Sequence, residues 1–517
     1  MENPDRSEQK SEHSLSQTEL KLFQDTYMGV AHLSSSDEAT RNAQRELQKS
    51  QVLPQIEIDE TKGTASEKAA LRSIQLFQRL DSDGNAFLGK RELSTALQDN
   101  NIKGQDALAL AALYRYYDWL VELHDDFGSE KSRGISKADL TQFKATASVG
   151  VEDFAKAKEA LAFFKPSAPG NKTPDFAKFD LDGDAALSDE ELRKASSAGR
   201  SVGDAAMLQY LMKERLENGA LHRAETPSVN EAAVEKLVRE KVAAFSINSE
   251  IGELSRRLDK SLAALKPEAT ELYSYPDQGQ IGDCYLVAAV ASIMRYEPAL
   301  LKAMIRQNEN DTYTVTFPGD QEHPVNILPP TEAEQTVFLS GSPTGSIIEK
   351  ALGEYRRQKE RSIDAMAATE TFGEAEELEL APKTSPIEAL DGGWDMFETL
   401  RLLTGRDYGA AQLTARPQPD KPWQISQEQF AHYLSEHLAK GNGGALNLTM
   451  LRRTPASESY EHAYSLLDFD AAGKDGGTVT IRDPHGGFED GIKKYSVMEL
   501  RELKAYVFGP IDTAGGK

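Results

Sequence analysis

The feature that most constrains this chain is an apolar, alanine-rich run from Tyr285 to Met294, which begins directly after the only cysteine, Cys284. A run of this length and composition predicts a buried helix. A thiol at the N-terminus of such a helix lies at the positive end of the aligned peptide dipoles, which lowers its pKa toward the reactive thiolate. A single cysteine cannot form an internal disulfide, so this thiol is either a packed structural group or a nucleophile.

A cysteine nucleophile needs a base that accepts its proton and a third group that orients the base. One of the 9 histidines, His462, lies in a segment with the composition of a β-strand, and a Gly-rich turn follows at 471–477. A second predicted strand, 478–482, ends at Asp483. If the two strands form a hairpin, His462 and Asp483 are neighbours. A structural histidine and a simple Asp-Pro turn are the alternatives.

Gln278 precedes Cys284 by one short, Gly-rich segment, and its side-chain amide is a suitable donor to a developing oxyanion. The sequence of residues 278–286, QGQIGDCYL, resembles the Q-G-x-x-G-D-C-W-[LF] active-site motif of the calpain family of cysteine proteases. His-Ala-Tyr-Ser at 462–465 and Ile-Arg-Asp-Pro-His-Gly at 481–486 are similar to the family's G-H-A-Y-S and [IL]-R-N-P-W-G motifs.

The resemblance covers about residues 267–511, with all motifs in the family's order. It implies a papain-like fold with a cleft between a helical half and a sheet half. It further implies that Cys284 is the nucleophile, that His462 is the general base and that Gln278 is the oxyanion donor. Asp483 then takes the place of the family's asparagine and orients His462.

Three positions depart from the family pattern. Asp483 replaces asparagine, and Tyr285 and His485 each replace tryptophan. A carboxylate can orient a histidine and stabilises its cationic form more strongly than an amide does. We expect the loss of an apolar shield at His485 to leave the His–Asp pair wetter. The alternative function is a calcium-binding regulatory protein with a catalytically impaired calpain-like domain, and acyl transfer of the transglutaminase type is a third.

Two acidic segments upstream, Asp81–Glu92 and Asp180–Glu191, have the ligand spacing of the 12-residue EF-hand loop. Oxygen ligands stand at positions 1, 3, 5 and 12, and a backbone carbonyl serves at position 7. Hard cations such as Ca²⁺ prefer six to eight such oxygens. The candidate ligands are Asp81, Asp83, Asn85, Phe87 and Glu92 in the first loop, and Asp180, Asp182, Asp184, Ala186 and Glu191 in the second.

Both loops depart from the EF-hand pattern at position 6, where Ala86 and Ala185 replace glycine. A left-handed alanine costs about 1–2 kcal/mol. That cost would weaken Ca²⁺ binding roughly 5- to 30-fold. We expect a degraded, silent partner loop at 134–140 for the first loop and at 218–225 for the second. An acidic solvated loop without metal is the alternative for each.

The EF-hand spacing and the resemblance to calpains together imply a multidomain chain, in which all-α EF-hand lobes precede an α+β papain-like protease domain of the calpain type. Residues 1–64 are rich in Ser, Glu and Gln and are predicted to be disordered. Core packing is the favoured explanation for the apolar stripe of the helical linker. The predicted domains are EF-hand lobes at 65–145 and 146–230, the linker at 231–266 and the protease at 267–513.

The formal net charge of −24 comes from 83 acidic and 59 basic residues and argues against a nucleic-acid partner. Calcium is the implied ligand and proteins or peptides are the implied substrates, while the oligomeric state stays open. The sequence has no apolar run of transmembrane length and no ordinary secretory signal. A single cysteine suits a reducing cytoplasm. We therefore expect a cytoplasmic, calcium-dependent cysteine endopeptidase, with export by another route left open.

Overall fold

A computed structural model describes the fold, which is mixed α/β and has two compact units. One unit comprises Met1–Ala70 and Asp118–Glu250, and the other comprises Leu71–Tyr117 and Ile251–Lys517. The predicted N-terminal region lies outside the described residues as far as position 62. The described residues are 63–123, 133–165, 173–197, 202–217, 228–264, 275–371, 385–391, 395–439, 446–453, 459–486 and 491–510.

Helices account for most of the described residues. Several begin at a capping box, in which a Ser or Thr hydroxyl accepts the third backbone N–H and an acidic side chain returns the bond, as at Ser136, Thr331 and Ser496. In chain order the helices are α1 (Ala65–Leu80), α2 (Lys90–Leu97), α3 (Gln105–Arg115), α4 (Tyr117–Leu120), α5 (Lys137–Thr146), α6 (Val151–Phe164), α7 (Asp189–Ser197), α8 (Val202–Glu217), α9 (Glu231–Ala264), α10 (Cys284–Tyr296), α11 (Pro298–Met304), α12 (Glu332–Val337), α13 (Pro343–Thr371), α14 (Met396–Thr404), α15 (Gln427–Ala439) and α16 (Val497–Glu502).

The described strands form three sheets. Among them, β6–β12 form a seven-stranded sheet in the order β11-β10-β9-β8-β12-β6-β7, and β3–β5 form a three-stranded antiparallel sheet. The strands are β1 (Ala186–Ser188), β2 (Ser228–Asn230), β3 (Ile305–Gln307), β4 (Tyr313–Phe317), β5 (Asp320–Ile327), β6 (Tyr408–Leu413), β7 (Gln424–Ile425), β8 (Asn447–Arg453), β9 (Ser459–Asp470), β10 (Thr478–Arg482), β11 (Ile492–Ser496) and β12 (Tyr506–Pro510).

The unit that contains residues 118–250 also contains the second acidic loop, Asp180–Glu191, here called loop 2. Strand β1 of loop 2 pairs antiparallel with β2, and Leu187 lies opposite Val229. Both side chains are fully buried in an aromatic-rich cluster with helices α6, α8 and α9. The strand that pairs with loop 2 is therefore later in the chain than the predicted partner at 218–225, which lies outside the described residues.

The predicted linker is a single 34-residue helix, α9. Val234, Leu237 and Val242 of its apolar stripe belong to the hydrophobic core of the unit that contains loop 2. Further along, Ile251 and Leu258 are also buried. The core-packing explanation for this stripe is therefore confirmed.

The other unit contains the first acidic loop, Asp81–Glu92, here called loop 1, together with the seven-stranded sheet. This division differs from the predicted boundaries, which separate a lobe at 65–145 from a domain beginning at 267. The physical reason is helix α3, whose residues 107–113 are all fully buried. A helix that is apolar on every side must be covered on every side, and α3 packs against α12.

Helix α10 forms over the predicted run and packs on strand β9. Two side-chain hydrogen bonds fix this packing, and a third joins α10 to the residue before β8. Ser465 Oγ donates to the carbonyl of Ala288 at 2.8 Å, and Ser292 Oγ donates to the carbonyl of Leu446 at 2.7 Å. Tyr296 donates its hydroxyl proton to a carbonyl of β9 at 3.1 Å. The start of α10 is therefore held in a fixed position over the strand that carries His462.

No single helix among those described has both the length and the apolar character to cross a bilayer. Helices α10 and α11 satisfy length and composition only as a pair, and the pair is bent by 116°. Residues 285–294 of α10 are buried inside the protein.

Candidate active site

Cys284 is the first residue of helix α10, as the sequence predicts, and its side chain is partly exposed. The preceding residue, Asp283, is the N-cap, and its carbonyl accepts the first helical hydrogen bonds, from Leu286 at 2.9 Å and Val287 at 3.1 Å. The earlier N–H groups of the first turn have no acceptor inside the helix. The thiol therefore lies beside backbone donors and at the positive end of the helix dipole.

His462 and Asp483 are brought together by the predicted hairpin. Strands β9 and β10 pair antiparallel, with a register shift between Thr480 and Ile481. His462 Nε2 lies 3.0 Å from Asp483 Oδ1, and each residue is 2% exposed. The expectation that the two side chains are neighbours is therefore confirmed, and the expectation of a wet pair is wrong.

The reason for the dry environment is His485, which replaces a tryptophan of the calpain pattern. Its ring stacks on the ring of His462 with a centroid separation of 4.9 Å and an interplanar angle of 3°. Tyr464 covers another side of His462, with its ring edge-on at 4.8 Å. A flat imidazole thus covers His462 much as a larger aromatic ring would.

The Cys284 side chain lies within hydrogen-bonding range of the His462 ring. Burial disfavours a charged imidazole, but hydrogen bonds with the Asp483 and Cys284 side chains outweigh burial, and the pKa of His462 is raised above its ordinary value. The raised pKa favours the protonated imidazole. This is the state needed beside a thiolate.

Asp483 accepts more than the bond with His462. Its Oδ1 also accepts the backbone N–H of His485 at 3.1 Å, and its Oδ2 accepts Lys493 Nζ at 2.7 Å. Burial alone would raise the pKa of Asp483, but the bonds from His462 and Lys493 hold that pKa well below its usual range. The sequence analysis missed Lys493, because only the pairing of β10 with β11 brings it to this carboxylate.

Gln278 lies on the turn before α10 and is buried. Its Nε2 donates to the carbonyl of Ile281 at 2.8 Å, so one of its two amide protons is committed within the turn. The Gln278 backbone N–H donates to Pro484 at 2.8 Å, which joins the cysteine turn to the Asp483 turn. Gly279 permits a second close approach, of this turn to residues 337–338, because a Cβ there would lie 2.2 Å from the carbonyl oxygen of Phe338.

Two further buried carboxyl groups, those of Glu349 and Asp283, lie near each other, and Asp283 is the residue before Cys284. Burial raises the pKa of Asp283 to about 7. Burial also raises the pKa of Glu349 well above its usual value, and repulsion from Asp283 adds to this effect. Both side chains are at most 1% exposed. The pair therefore retains protons at a pH where exposed carboxyl groups are ionised.

This pair makes stability depend on pH. When the pKa of a carboxyl group is higher in the folded than in the unfolded state, the free energy of unfolding of the protein falls as pH rises from the unfolded pKa through the folded pKa. We expect Glu349→Gln to increase the free energy of unfolding at pH 8 by about 1–3 kcal/mol more than at pH 5. Urea denaturation at the two pH values measures this, with the exposed Glu309→Gln as the control. An equal change at both pH values would contradict the assignment.

Loop 1 has a donor set that suits a hard cation. Carboxylate oxygens of Asp81, Asp83 and Glu92 lie within 4.8 Å of one another. Asp81 Oδ1 is buried without a hydrogen-bond partner among the described residues. Burial raises the pKa of Asp81, and repulsion from the other two carboxylates adds to it. A divalent cation would relieve this repulsion.

Loop 2 is similar, with Asp180, Asp182 and Asp184 within 4.8 Å of one another. Its last ligand candidate, Glu191, accepts the backbone N–H groups of Leu181 at 2.6 Å and Ser188 at 2.8 Å.

The position-6 residues of both loops are in the left-handed region, at φ 69° for Ala86 and 66° for Ala185. The predicted strain is therefore present in both loops. Its cost of about 1–2 kcal/mol at each alanine acts against tight binding.

His462, Asp483 and His485 form another group of potential ligand atoms within 4.8 Å in the described part of the chain. An imidazole nitrogen directs its lone pair in the plane of its ring. The two rings are stacked in nearly parallel planes, so their nitrogens cannot both direct lone pairs at one cation without rotating. Lys493 adds a positive charge at the same carboxylate. This group therefore suits proton transfer better than metal binding.

Comparison with known proteins adds no family assignment. No protein-family model matches the chain, and no curated protein matches it. The functional argument therefore depends on the geometry of the site and on the resemblance of its motifs.

Proposed function

We propose that this protein is a calcium-dependent cysteine endopeptidase of the calpain type, with an α+β papain-like catalytic unit and EF-hand loops. The observation that carries the proposal is the convergence of three groups from three separate elements. Cys284 at the start of α10 lies in hydrogen-bonding range of His462 on β9, and His462 contacts Asp483 at 3.0 Å. Nucleophile, base and orienting group are thus in the order that thiol catalysis requires.

In the proposed reaction, the Cys284 thiolate attacks the carbonyl carbon of a peptide bond. The electron pair of the carbonyl moves to oxygen, and the His462 imidazolium then donates its proton to the departing amine. Water attacks the resulting thioester, with His462 accepting a proton from the water. Release of the carboxylic acid restores the thiolate and the imidazolium. Asp483 holds the ring of His462 in one orientation through both steps.

The oxyanion of each tetrahedral intermediate needs donors that are already in place. The backbone N–H of Cys284, in the first turn of α10, is one such donor. The free amide proton of Gln278 is the second, because its other proton bonds to the Ile281 carbonyl. The bond from Gln278 N–H to Pro484 holds this turn against the one that carries Asp483.

Calcium enters the proposal through the acidic loops. Asp81, Asp83, Asn85, the carbonyl of Phe87 and Glu92 would hold Ca²⁺ in loop 1, and the matching residues of loop 2 would do so there. Bound calcium would supply positive charge that joins the ends of each loop. The donor chemistry supports this role, since loop 1 has an unpartnered buried carboxylate oxygen among its described contacts.

Hydrolysis of a casein-type substrate tests the proposal, comparing the native chain with Cys284→Ala at saturating Ca²⁺. We expect the native chain to produce new peptide N-termini and Cys284→Ala to lose at least about 10⁴-fold in rate. Equal turnover by both proteins would overturn the proposal. The absence of turnover in both would favour the regulatory alternative.

An amine acceptor in the same reaction separates hydrolysis from acyl transfer. The expected product is the free acid, with no covalent amine adduct above background. Dominant formation of the adduct would replace the hydrolase proposal by a transferase.

A further inference from the structure

The third residue of the proposed site uses its two oxygens differently. Asp483 Oδ1 faces His462 at 3.0 Å, and Asp483 Oδ2 faces Lys493 Nζ at 2.7 Å. An asparagine at this position would offer one acceptor and no charge. The second oxygen and its negative charge are therefore features that aspartate adds, and Lys493 binds that added oxygen.

The sheet holds Lys493 in place from two sides. Strand β11 pairs with β10 so that Lys493 lies opposite Ile481, two residues before Asp483. The Lys493 ammonium also lies 6.0 Å from the ring centroid of Tyr464, within the range of a cation–π contact. Tyr464 is on the same face of β9 as His462, since alternate residues of a strand share a face. Lys493 therefore contacts both the orienting group and a neighbour of the base.

Charge balance gives this contact a chemical consequence. A thiolate, an imidazolium and a neutral asparagine sum to zero charge. Substituting aspartate adds one negative charge at a position that is only 2% exposed. Uncompensated buried charge is costly, and an ion pair with a hydrogen bond offsets much of that cost. The ammonium of Lys493 returns the sum to zero.

We propose that Lys493 is a positioning residue of the catalytic centre, which fixes the Asp483 carboxylate and neutralises the charge that aspartate introduces in place of asparagine. The proposal deepens the endopeptidase function and depends on it for its kinetic consequences. Its electrostatic consequence is measurable without turnover.

The charged and titratable groups around His462 come from five elements: Cys284 of α10, Tyr464 of β9, Asp483 after β10, His485 of the following turn and Lys493 of β11. Removing only the ammonium leaves the carboxylate uncompensated, which stabilises the imidazolium and disfavours the thiolate. Both limbs of the pH–rate profile then move to higher pH. The sign is opposite to that expected for loss of Asp483, which removes a negative charge beside the imidazolium.

The test uses the full chain with Lys493→Met. Histidine-selective ¹⁵N NMR gives the titration of His462, assigned by loss of its signal in His462→Gln. We expect the His462 titration and the alkaline limb of kcat/KM to move up by about half a pH unit or more. KM should change by less than about twofold and kcat should fall, because the substitution acts on the protonation state. Lys493→Arg, which keeps the positive charge, should have a His462 titration and a kcat close to those of the native chain.

Lys494→Met is the matched control, since it removes the same charge from the next residue of β11, whose exposed side chain lies on the other face. It should leave the His462 titration and the pH profile unchanged. Asp483→Asn supplies a second comparison. In the Asp483→Asn background, Lys493→Met should shift the His462 titration by less than a third of the shift that it causes in the native chain, because the ammonium has lost the carboxylate that holds it.

Two results would overturn the proposal. One is an unchanged His462 titration in Lys493→Met, whatever happens to stability. The other is an equal shift in the Asp483→Asn background, which would mean that Lys493 acts independently of Asp483. The NMR titration also separates failure of this proposal from failure of the endopeptidase proposal. If Lys493→Met shifts the His462 titration but the native chain shows no proteolysis, the Lys493–Asp483 coupling is retained and only its catalytic role is lost.

Discussion

Replacing His462 by glutamine is expected to lower kcat/KM for peptide hydrolysis by about 10⁴- to 10⁶-fold. His462 interacts with both the Cys284 and the Asp483 side chains. Without the imidazole, the thiol has no base and the departing amine has no proton donor. Glutamine has a similar size and can still bond to Asp483, so the loss should come with little change in the unfolding midpoint.

The measurement is steady-state hydrolysis of a fluorogenic peptide, alongside the rate of thiol alkylation as a function of pH. Alkylation reports the thiolate directly, and His462→Gln should be alkylated more slowly than the native chain at neutral pH, because the imidazolium that stabilises the thiolate is gone. Asp483 provides the graded control. Asp483→Asn keeps an acceptor for the ring and should retain more activity than Asp483→Ala, which removes it. Activity of His462→Gln within about tenfold of the native chain would contradict the assigned base.

The parts of this site that the sequence could predict are those determined by local patterns. The apolar run after Cys284 indicates a helix that starts at the thiol, and the helix does start there. The turn residues between the two segments around His462 and Asp483 indicate a hairpin, and the hairpin forms. Turn chemistry and hydrophobic periodicity act over a few residues, so they are visible without the fold.

The parts that the sequence could not predict depend on contacts between distant segments. The position of Lys493 follows from the pairing of β11 with β10. The buried pair of Asp283 and Glu349 follows from the packing of α13 near the cysteine turn. Neither the pair of Lys493 and Asp483 nor the pair of Asp283 and Glu349 has a sequence spacing that would distinguish it from exposed charged residues elsewhere in the chain.

The predicted domain boundaries differ from the two compact units for a related reason. A repeated loop motif predicts repeated lobes, which would place loop 1 and loop 2 in adjacent EF-hand lobes. The burial of residues 107–113 on every side of α3 instead places residues 71–117 in the unit with the seven-stranded sheet. An apolar helix signals that it will be covered, but its sequence does not identify the segment that covers it.

This division gives loop 1 a structural connection, through α12, to the turn that carries Gln278 and Cys284. Helix α2 follows loop 1, and the carbonyl of its last residue, Leu97, accepts the hydroxyl of Thr331 at 2.5 Å. Thr331 is the N-cap of α12, whose last residue, Val337, accepts the backbone N–H of Gln280 at 3.0 Å. The turn that carries Gln278 and Cys284 is therefore separated from helix α2 by one short helix.

Further bonds run in parallel with this connection. Ser94 Oγ of α2 accepts the N–H of Ser385 at 3.0 Å, and Ser385 in turn donates to Glu334 of α12 at 2.9 Å. Glu334 is fully buried and pairs with Lys350 at 2.7 Å. From α3, Arg115 accepts the side-chain amide of Gln280 at 3.3 Å. A change in the angle of α2 would therefore act on α12 and on the turn that holds Gln278 and Cys284.

We accordingly expect Glu92→Gln to raise the free Ca²⁺ concentration for half-maximal proteolysis by about tenfold or more, because a position-12 carboxylate would supply two oxygens and a negative charge to the ion. Glu191→Gln in loop 2 should shift the same curve by less than about threefold. Terbium luminescence on the full chain reports metal binding independently of activity. Each substitution removes one carboxylate from the same loop position, so each variant controls for the other.

The comparison has three informative outcomes. A larger shift in Glu92→Gln than in Glu191→Gln supports control through loop 1 and α12. A larger shift in Glu191→Gln would contradict this route, because loop 2 belongs to the other compact unit. If both variants lose terbium binding and neither moves the activity curve, the loops bind metal without controlling the protease. Thr331→Val in the native chain tests the connection from α2 to α12 directly. Removing the bond from Thr331 to Leu97 should shift the dependence of proteolysis on free Ca²⁺ in the same direction as Glu92→Gln.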